Sequence, residues 1–221
     1  MDRWKDIYKY MNRKKFAPIF FRRLEKEYGS QKCFLNFGSP WELLVAVMLS
    51  AQCTDERVNR VTPALFERFA DVREYAKATQ REMEKLVHST GFYRNKARHI
   101  RESAKMIVKK FGGEVPGTMS ELLQLPGVAR KTANVILSVA FGLNVGVVVD
   151  THVGRISRRL GLTSEMSPEK IEQDLIPLLP RKNWHEYSLL LISHGRAVCT
   201  ARKAFCGKCV LKKVCPSAGR V

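Results

Sequence analysis

Three helix-start signals of one kind constrain the fold of this sequence more than any other feature. Each is a capping box, in which a serine or threonine precedes a glutamate by three residues and the two side chains satisfy backbone N–H groups. They lie at residues 39–42, 79–82 and 118–121. Glycines such as Gly91 and Gly161 end helical segments. Because few segments alternate as strands do, we predict an all-α chain, with the β-branched run 145–149 as an extended connector.

The charge of the chain points to a polyanionic partner. Lys and Arg number 39 against 21 Asp and Glu, a formal net charge of +18, and such an excess attracts polyanions and accelerates their encounter. A protein that is merely basic, or that sits on anionic lipid, is the alternative. No basic amphipathic anchor flanks a membrane signal, which favours nucleic acid. With no apolar run of about 18 residues and no targeting segment, we expect a cytoplasmic, nucleoid-associated protein.

Residues 125–134 predict a tight turn that leads into a helix, with the sequence Leu-Pro-Gly-Val-Ala-Arg-Lys-Thr-Ala-Asn. The backbone N–H groups of the turn, at Gly127, Val128 and Ala129, are candidates to hold an anion. Lys131 falls in the first helical turn, where the positive end of the helix dipole disfavours a protonated amine. A lysine nucleophile reacts as the neutral amine, so Lys131 is a candidate nucleophile. The alternative is a plain αα-hairpin with a surface lysine.

The helix after this turn is predicted to bury one stripe of side chains at helical spacing. The stripe consists of Thr132, Val135, Ile136, Val139, Ala140 and Leu143. Lys131, Asn134 and Ser138 fall on another face. We therefore expect the Lys131 side chain to project away from the core.

Asp150 follows three consecutive valines and precedes Thr151 and His152. Aspartate often caps a helix N-terminus, which is the alternative to a functional role. The two roles are compatible, because a capping carboxylate is held in one orientation and an apolar approach places it in a partly dry site. Asp150 is therefore a candidate charged partner of Lys131.

Four of the six cysteines crowd the C-terminal tail with the spacing C-x6-C-x2-C-x5-C; they are Cys199, Cys206, Cys209 and Cys215. Four thiolates this close in sequence indicate a metal site. Structural zinc is the common occupant of C-x2-C sites, but only one such pair occurs here. The uneven spacing and the proline after the last cysteine favour an iron–sulfur cluster. The isolated Cys33 and Cys53 are predicted to be small buried hydrophobes.

These motifs together resemble the endonuclease III branch of the helix-hairpin-helix DNA glycosylases. The resemblance rests on residues 125–134, on Val-Asp-Thr-His at 149–152 and on the cysteine spacing, and it extends from about Phe34 to Cys215. It implies a bifunctional DNA glycosylase and AP lyase that acts as a monomer on damaged or abasic double-stranded DNA and removes oxidised pyrimidines. It also implies two lobes. One is a six-helix lobe at residues 33–144 that contains the hairpin, and residues 1–32 with 145–221 form the other.

Roles for individual residues follow from the same resemblance. In that family the lysine attacks C1′ of the damaged nucleotide and the aspartate supports it, and these roles carry over to Lys131 and Asp150. The cysteine tail is implied to hold a [4Fe–4S] cluster in a structural role and to offer Arg202 and Lys203 to phosphate. Ala129 stands where the family usually has a second glycine, so weaker or shifted phosphate binding is expected.

Three further residues are candidates for contact with the DNA. A glycosylase must extrude its target nucleotide and fill the gap, and Gln52 and Phe92 match the family positions for gap filling and wedging. Many relatives carry leucine where Phe92 stands. The alternatives are a polar residue at a helix end for Gln52 and a core aromatic for Phe92. His152 is a candidate to face the lesion sugar, or else a helix-surface histidine.

Two other functions stay open at this point. One is a monofunctional glycosylase that removes adenine or mismatched bases, but such relatives typically lack the lysine, so Lys131 argues against it. The other is a non-catalytic DNA-binding or redox-sensing protein that uses only the hairpin and the cluster. Cleavage of a duplex that contains an abasic site distinguishes this second function from the enzyme.

Overall fold

The computed structural model describes the backbone of residues 3–221 and the side chains from Asn12 onward. This described chain contains eleven α-helices, which are α1 (Arg3–Tyr28), α2 (Pro40–Leu49), α3 (Asp55–Arg68), α4 (Val72–Lys77), α5 (Gln80–Val87), α6 (Tyr93–Lys110), α7 (Met119–Leu122), α8 (Arg130–Ala140), α9 (Thr151–Arg159), α10 (Pro168–Leu175) and α11 (Trp184–Ala197). Short 3-10 helices lie at His88–Thr90, Ile176–Leu178, Arg181–Asn183 and Cys206–Lys208. No strand occurs among these residues, which confirms the all-α class.

All three capping-box segments begin helices. Ser39 accepts the N–H of Glu42 at 3.2 Å, and Thr118 accepts that of Glu121 at 3.3 Å. At Thr79 both reciprocal bonds of the box are present, because Glu82 also accepts the Thr79 backbone N–H. Helix starts that depend on residues within one turn were therefore predictable from the sequence.

The first helix is longer than its sequence pattern predicts. Pro18 in a first turn predicts a helix that starts near Phe16, but α1 begins at Arg3 and contains Pro18 in its interior. A proline removes one backbone hydrogen bond and crowds the preceding turn, yet in α1 the helix continues on both sides. Its position inside α1 corrects the predicted start.

Contacts within the chain define two units, Met1–Lys32 with Asn144–Val221, and Cys33–Leu143. The Cys33–Leu143 unit contains seven α-helices, α2 to α8, where the resemblance implies six; α7 is a single turn of four residues. That these units are the two functional lobes stays a prediction.

Helix α2 is the centre of the Cys33–Leu143 unit. Eight of its ten residues are buried, and it packs against α3, α6 and α8. A helix that is apolar on all faces is stable only when other elements surround it. Cys33 and Cys53 of this unit are only half-buried, so the prediction that they are buried core residues is wrong.

The other unit is built around α11, which packs against α1 and α9. Tyr187 and the run Leu189–Ile192 provide most of its buried apolar surface. The predicted connector is neither helix nor strand, and Val147, Val148 and Val149 are each at most 5% exposed. Within residues 3–221, no helix is both long enough and apolar enough to span a membrane.

Candidate active site

The turn between α7 and α8 is closed by local bonds and supported by α6. The Val128 N–H donates to the Leu125 carbonyl at 3.1 Å, and the Ser103 hydroxyl of α6 donates to the Pro126 carbonyl at 2.9 Å. Gly127 has φ +78°, a conformation that L side chains rarely adopt. A Cβ at this position would also lie 2.7 Å from Nδ1 of His99. The turn therefore requires glycine at position 127 for two independent reasons.

Helix α8 begins without a side-chain cap. Its N-cap residue is Ala129, which offers no hydrogen-bonding side chain, and Ala129 is exposed. The first N–H groups of a helix have no intrahelical partner and attract anions. Ala129 has φ −94° and ψ 170°, an extended conformation that any residue adopts. Alanine in place of the family glycine thus causes no backbone strain, and the two residues differ at this position only by the methyl group of the alanine.

Lys131 is exposed in the first turn of α8, as the sequence predicts. The predicted buried stripe of that helix is wrong in part. The residues that the structure buries are Ala133, Asn134, Ile136 and Leu137. Ile136 alone is shared with the predicted stripe, and Leu143 is 45% exposed. Neighbouring α2 and α7 determine which face α8 turns inward, and helical spacing cannot reveal their positions.

Gln52 and Phe92 share an unusual backbone conformation. Among the non-glycine residues that the structure describes, these two have positive φ, 53° and 47°. Both are exposed, Phe92 by 66%, so Phe92 is not a core aromatic. Left-handed backbone costs a non-glycine residue about 1–2 kcal/mol, and such strain concentrates at functional positions.

One surface depression connects these residues with the hairpin. Gln52, Phe92 and Gly127 all line it, so the structure brings three of the predicted DNA contacts together within the Cys33–Leu143 unit. Lys96 and His99 of α6 line it too. The sequence shows α6 only as a long basic helix, and neither residue stands out there.

Asp150, in the other unit, caps α9. Its Oδ1 accepts the Val153 N–H at 2.8 Å, and the residue, which directly follows the three valines, is half-buried. The N-cap role is confirmed. The bond fixes the carboxylate in one orientation, and Oδ2 is left for a second partner.

His152 lies against the helix α11. Nη2 of Arg155 is 3.2 Å from Nδ1 of His152, and it also donates to the carbonyls of Gly195 at 3.3 Å and Cys199 at 2.9 Å. A Cβ on Gly195 would lie 2.6 Å from Nδ1 of His152, so α9 and α11 pack this closely only at a glycine. Burial lowers the pKa of His152, and the nearby Asp150 carboxylate opposes that shift. The imidazole is therefore half-buried and held in position, not a free surface group.

The four tail cysteines line one pocket, together with apolar side chains such as Ile156 and Leu211. Nitrogen atoms lie within hydrogen-bond distance of two of the four sulfurs, those of Cys199 and Cys209. Nη1 of Arg159 is 3.2 Å from Sγ of Cys199, while Nε2 of His194 and the Leu211 N–H are each 3.4 Å from Sγ of Cys209. Burial raises the pKa of the Cys209 and Cys215 thiols. Donors aimed at sulfur stabilise the thiolate form that binds metal.

A single metal ion fits these cysteines poorly. Zinc–sulfur bonds of about 2.3 Å require the four sulfurs to converge on one point. Across the side chains from Asn12 to the C-terminus, no group of three or more His, Cys, Asp or Glu residues is arranged to hold one ion. The four cysteines instead line one pocket together.

Arg202 and Lys203 lie in the exposed loop between the first two tail cysteines. Thr200 orders this loop: its hydroxyl donates to the Lys203 carbonyl at 2.6 Å and accepts the Lys203 N–H at 3.2 Å. The Lys203 ammonium group is 5.7 Å from the centre of the Phe205 ring. Both charged groups are thus presented to solvent by an ordered loop.

Comparisons with known proteins agree with these observations. Residues 45–181 match the family model of the HhH-GPD superfamily base excision DNA repair proteins. The chain is 54% identical to the endonuclease III of Synechocystis sp. over 95% of this chain and 96% of that protein. Two solved structures, a non-covalent endonuclease III–DNA complex and a trapped endonuclease III–DNA covalent intermediate, each match with a TM-score of 0.89 and 40% identity, over 93% of this chain and 96% of theirs. The chain therefore belongs to the HhH-GPD superfamily of base excision DNA repair proteins and, within it, to the endonuclease III branch.

Proposed function

We propose that this chain is a base-excision-repair DNA glycosylase with an associated AP lyase activity, and that it removes oxidised pyrimidines from duplex DNA. Its membership in the endonuclease III branch supports the reaction class, as does the covalent DNA intermediate trapped with a similar endonuclease III. The observation in this chain that carries the proposal is Lys131, exposed in the first turn of α8 directly after the hairpin. An amine in such a position is a nucleophile available to a bound nucleotide.

Duplex binding comes first and depends on charge. The net charge of +18 attracts the phosphate backbone without regard to sequence. The hairpin backbone at Gly127, Val128 and Ala129 holds one phosphate, although the Val128 N–H itself is committed to the Leu125 carbonyl. Arg202 and Lys203 contact other phosphates. His152 faces the sugar of the lesion.

Extrusion of the damaged nucleotide follows. Phe92 is exposed on its turn, and its ring enters the base stack as a wedge. The Gln52 amide fills the space that the extruded nucleotide leaves.

The chemical step uses Lys131 and Asp150. As the bond between C1′ and the base weakens, the Asp150 carboxylate stabilises the positive charge that develops on the sugar and helps to remove a proton from Lys131. The Lys131 amine attacks C1′, the base leaves with its bonding electrons, and opening of the sugar ring gives a Schiff base. Loss of a C2′ proton then expels the 3′ phosphate by β-elimination, and water hydrolyses the Schiff base to free Lys131.

For the tail we propose that Cys199, Cys206, Cys209 and Cys215 hold a [4Fe–4S] cluster. The shared pocket, the N–H donors near Sγ of Cys199 and Cys209, and the lack of convergence on one point support this choice. When bound, the cluster cross-links four points of the tail, which keeps the loop of Arg202 and Lys203 in place.

The proposal extends to the organisation of the protein. We expect the two units to act as two lobes of one monomer. Because its substrate is chromosomal DNA, we expect the protein to be associated with the nucleoid.

Borohydride trapping tests the nucleophile directly. The wild-type protein should form a covalent adduct with a lesion-bearing duplex, because borohydride reduces the Schiff base to a stable amine. Lys131→Gln should form none. Lys170→Gln is the matched control, since Lys170 is also an exposed lysine in the first turn of a helix, α10, and it should trap like the wild type. Wild-type trapping by Lys131→Gln would show that another residue is the nucleophile.

A further inference from the structure

Lys96 is a buried cation that none of the steps above uses. The residue is only 6% exposed, and it lies four residues into α6, near the helix end whose dipole repels cations. Burying a charged amine is costly unless its partners compensate. Consistent with this, burial lowers the pKa of Lys96. The hydrogen-bond partners of Lys96 must therefore compensate for the free-energy cost of burying its ammonium group.

The partners are two backbone carbonyl oxygens, one 47 residues before Lys96 at the end of α2 and one six residues before it. Nζ of Lys96 donates to the Leu49 carbonyl at 2.8 Å and to the Thr90 carbonyl at 2.7 Å. Leu49 is the last residue of α2, where carbonyls lack intrahelical partners and carry the negative end of the helix dipole. Thr90 is the last residue of the 3-10 helix His88–Thr90. One ammonium group thus joins two chain segments at the points where their helices end.

Each of these segments leads directly to a residue with strained backbone. Gln52 follows Leu49 by three positions, and Phe92 follows Thr90 by two. Their φ angles of 53° and 47° persist only if the surroundings hold them. Lys96 anchors the residue just ahead of each turn, and all three side chains line the same depression.

We propose that Lys96 is a positioning residue for nucleotide extrusion, whose ammonium group clamps the turn of Gln52 to the turn of Phe92 so that both side chains enter the duplex as one rigid pair. The inference rests on the proposed function, in which Phe92 opens the stack and Gln52 fills the gap. Lys96 acts through these two residues and not on the reacting atoms.

Single-turnover rates on two duplexes test the clamp. One duplex carries a paired thymine glycol, and the other a preformed abasic site, where no base has to be unstacked. Lys96→Met keeps the length of the side chain and removes its charge and donors. We expect it to slow excision of the paired lesion about tenfold or more, and to slow cleavage of the abasic duplex less than about threefold, because unstacking contributes only to the first reaction. Lys105→Met, an exposed lysine on the same helix, is the matched control and should leave both rates unchanged.

A double-mutant cycle separates the clamp from a general structural role. In a Gln52→Ala/Phe92→Ala background, Lys96→Met should slow excision of the paired lesion less than about threefold. The reason is that the two side chains through which Lys96 acts are absent from this background. If Lys96→Met does not fold, Lys96→Arg takes its place in the same cycle, since it keeps a cationic donor but changes its reach.

Two outcomes overturn the inference alone, and a third overturns the proposed function as well. Equal losses on the paired and abasic duplexes would show that Lys96 merely supports the fold, and so would equal losses in the two backgrounds. A wild-type protein that neither excises the lesion nor cuts the abasic duplex would instead refute the proposed function itself, and the inference with it. The wild-type rates therefore separate the two failures.

Discussion

Helices α8 and α9 carry the two proposed catalytic residues at their N-termini, but they begin in opposite ways. The N-cap of α8 is Ala129, which makes no side-chain hydrogen bond. The N-cap of α9 is Asp150, whose carboxylate accepts the Val153 N–H at 2.8 Å. The N-terminus of α8 therefore has no side-chain cap, whereas that of α9 is capped by the side chain of its own N-cap residue.

The difference indicates how each helix start is used. Because no side chain caps α8, its N-terminus attracts an external anion, and a phosphate held there would lie beside Lys131 in the first helical turn. At α9 one carboxylate oxygen is committed to the helix, which holds the charge of Asp150 still. Preorganised charge stabilises a transition state without having to reorient during the reaction.

Asp150 offers the sharpest way to test this comparison, because capping and charge can be separated. Asparagine caps helices as well as aspartate does, so Asp150→Asn should leave the free energy of unfolding within about 0.5 kcal/mol of wild type. Without the charge, excision should slow by a factor of about 10²–10³. Asp150→Ala should lose the same activity and about 1 kcal/mol of stability as well. Denaturant titration measures the stability, and single-turnover excision measures the activity. Wild-type activity of Asp150→Asn would show that Asp150 only caps α9 and that its charge has no catalytic role.

Substitution of a tail cysteine should destabilise α9 and leave the stability of α8 unchanged. Arg159, the last residue of α9, donates to Sγ of Cys199. Cys209→Ser should therefore lower the iron content, reduce the stability of its unit by more than about 2 kcal/mol and speed hydrogen exchange of the Val153 N–H. Exchange in α8 should not change.

Cys33→Ser is the control for this experiment, since Cys33 is a half-buried cysteine in the other unit. It should retain the visible absorbance of the wild type. A colourless wild-type protein that contains stoichiometric zinc would contradict the cluster assignment.

Substitution of the hairpin glycine tests whether the turn before α8 requires close contact with His99 of α6. Gly127→Ala adds the strain of positive φ and a collision with His99, and should cost about 2–3 kcal/mol of stability along with weaker DNA binding. Gly142→Ala separates the two causes, because Gly142 has φ +67° but no atom within 4 Å of the place where a Cβ would lie. It should cost only about 1 kcal/mol. Equal losses measured by thermal unfolding would show that His99 yields to the methyl group.

Ala129 should give the smallest effect. Because its backbone is extended, Ala129→Gly relieves no strain and removes only a methyl group beside the proposed phosphate. We expect the affinity for duplex DNA to rise less than about threefold, measured by fluorescence anisotropy at fixed salt. A larger rise would mean that the methyl group obstructs the phosphate.

The features that the sequence predicted correctly are local ones. The helix starts at Ser39, Thr79 and Thr118, the cap at Asp150 and the exposure of Lys131 each depend on residues within about one helical turn. Over that distance the backbone bonds and the side chain that satisfies them can be assigned directly from the sequence.

The features that the sequence missed depend on contacts between distant segments. The buried face of α8 is set by α2 and α7, so helical spacing placed Asn134 on the wrong side. Gln52 and Phe92 were found through the family resemblance, but their left-handed backbone and their shared depression with Gly127 were not predictable from it.

By itself, then, the sequence determined where the helices begin, which residues are candidates for the chemistry and which cysteines group together in the tail, because each of these is a matter of residue type at fixed local spacing. Tertiary structure alone decided which helix faces are buried, why position 127 must be glycine beside His99, and that Lys96 joins the carbonyls of Leu49 and Thr90. The physical reason is that a buried charge or a close approach acquires its partners only when segments far apart in the chain pack together.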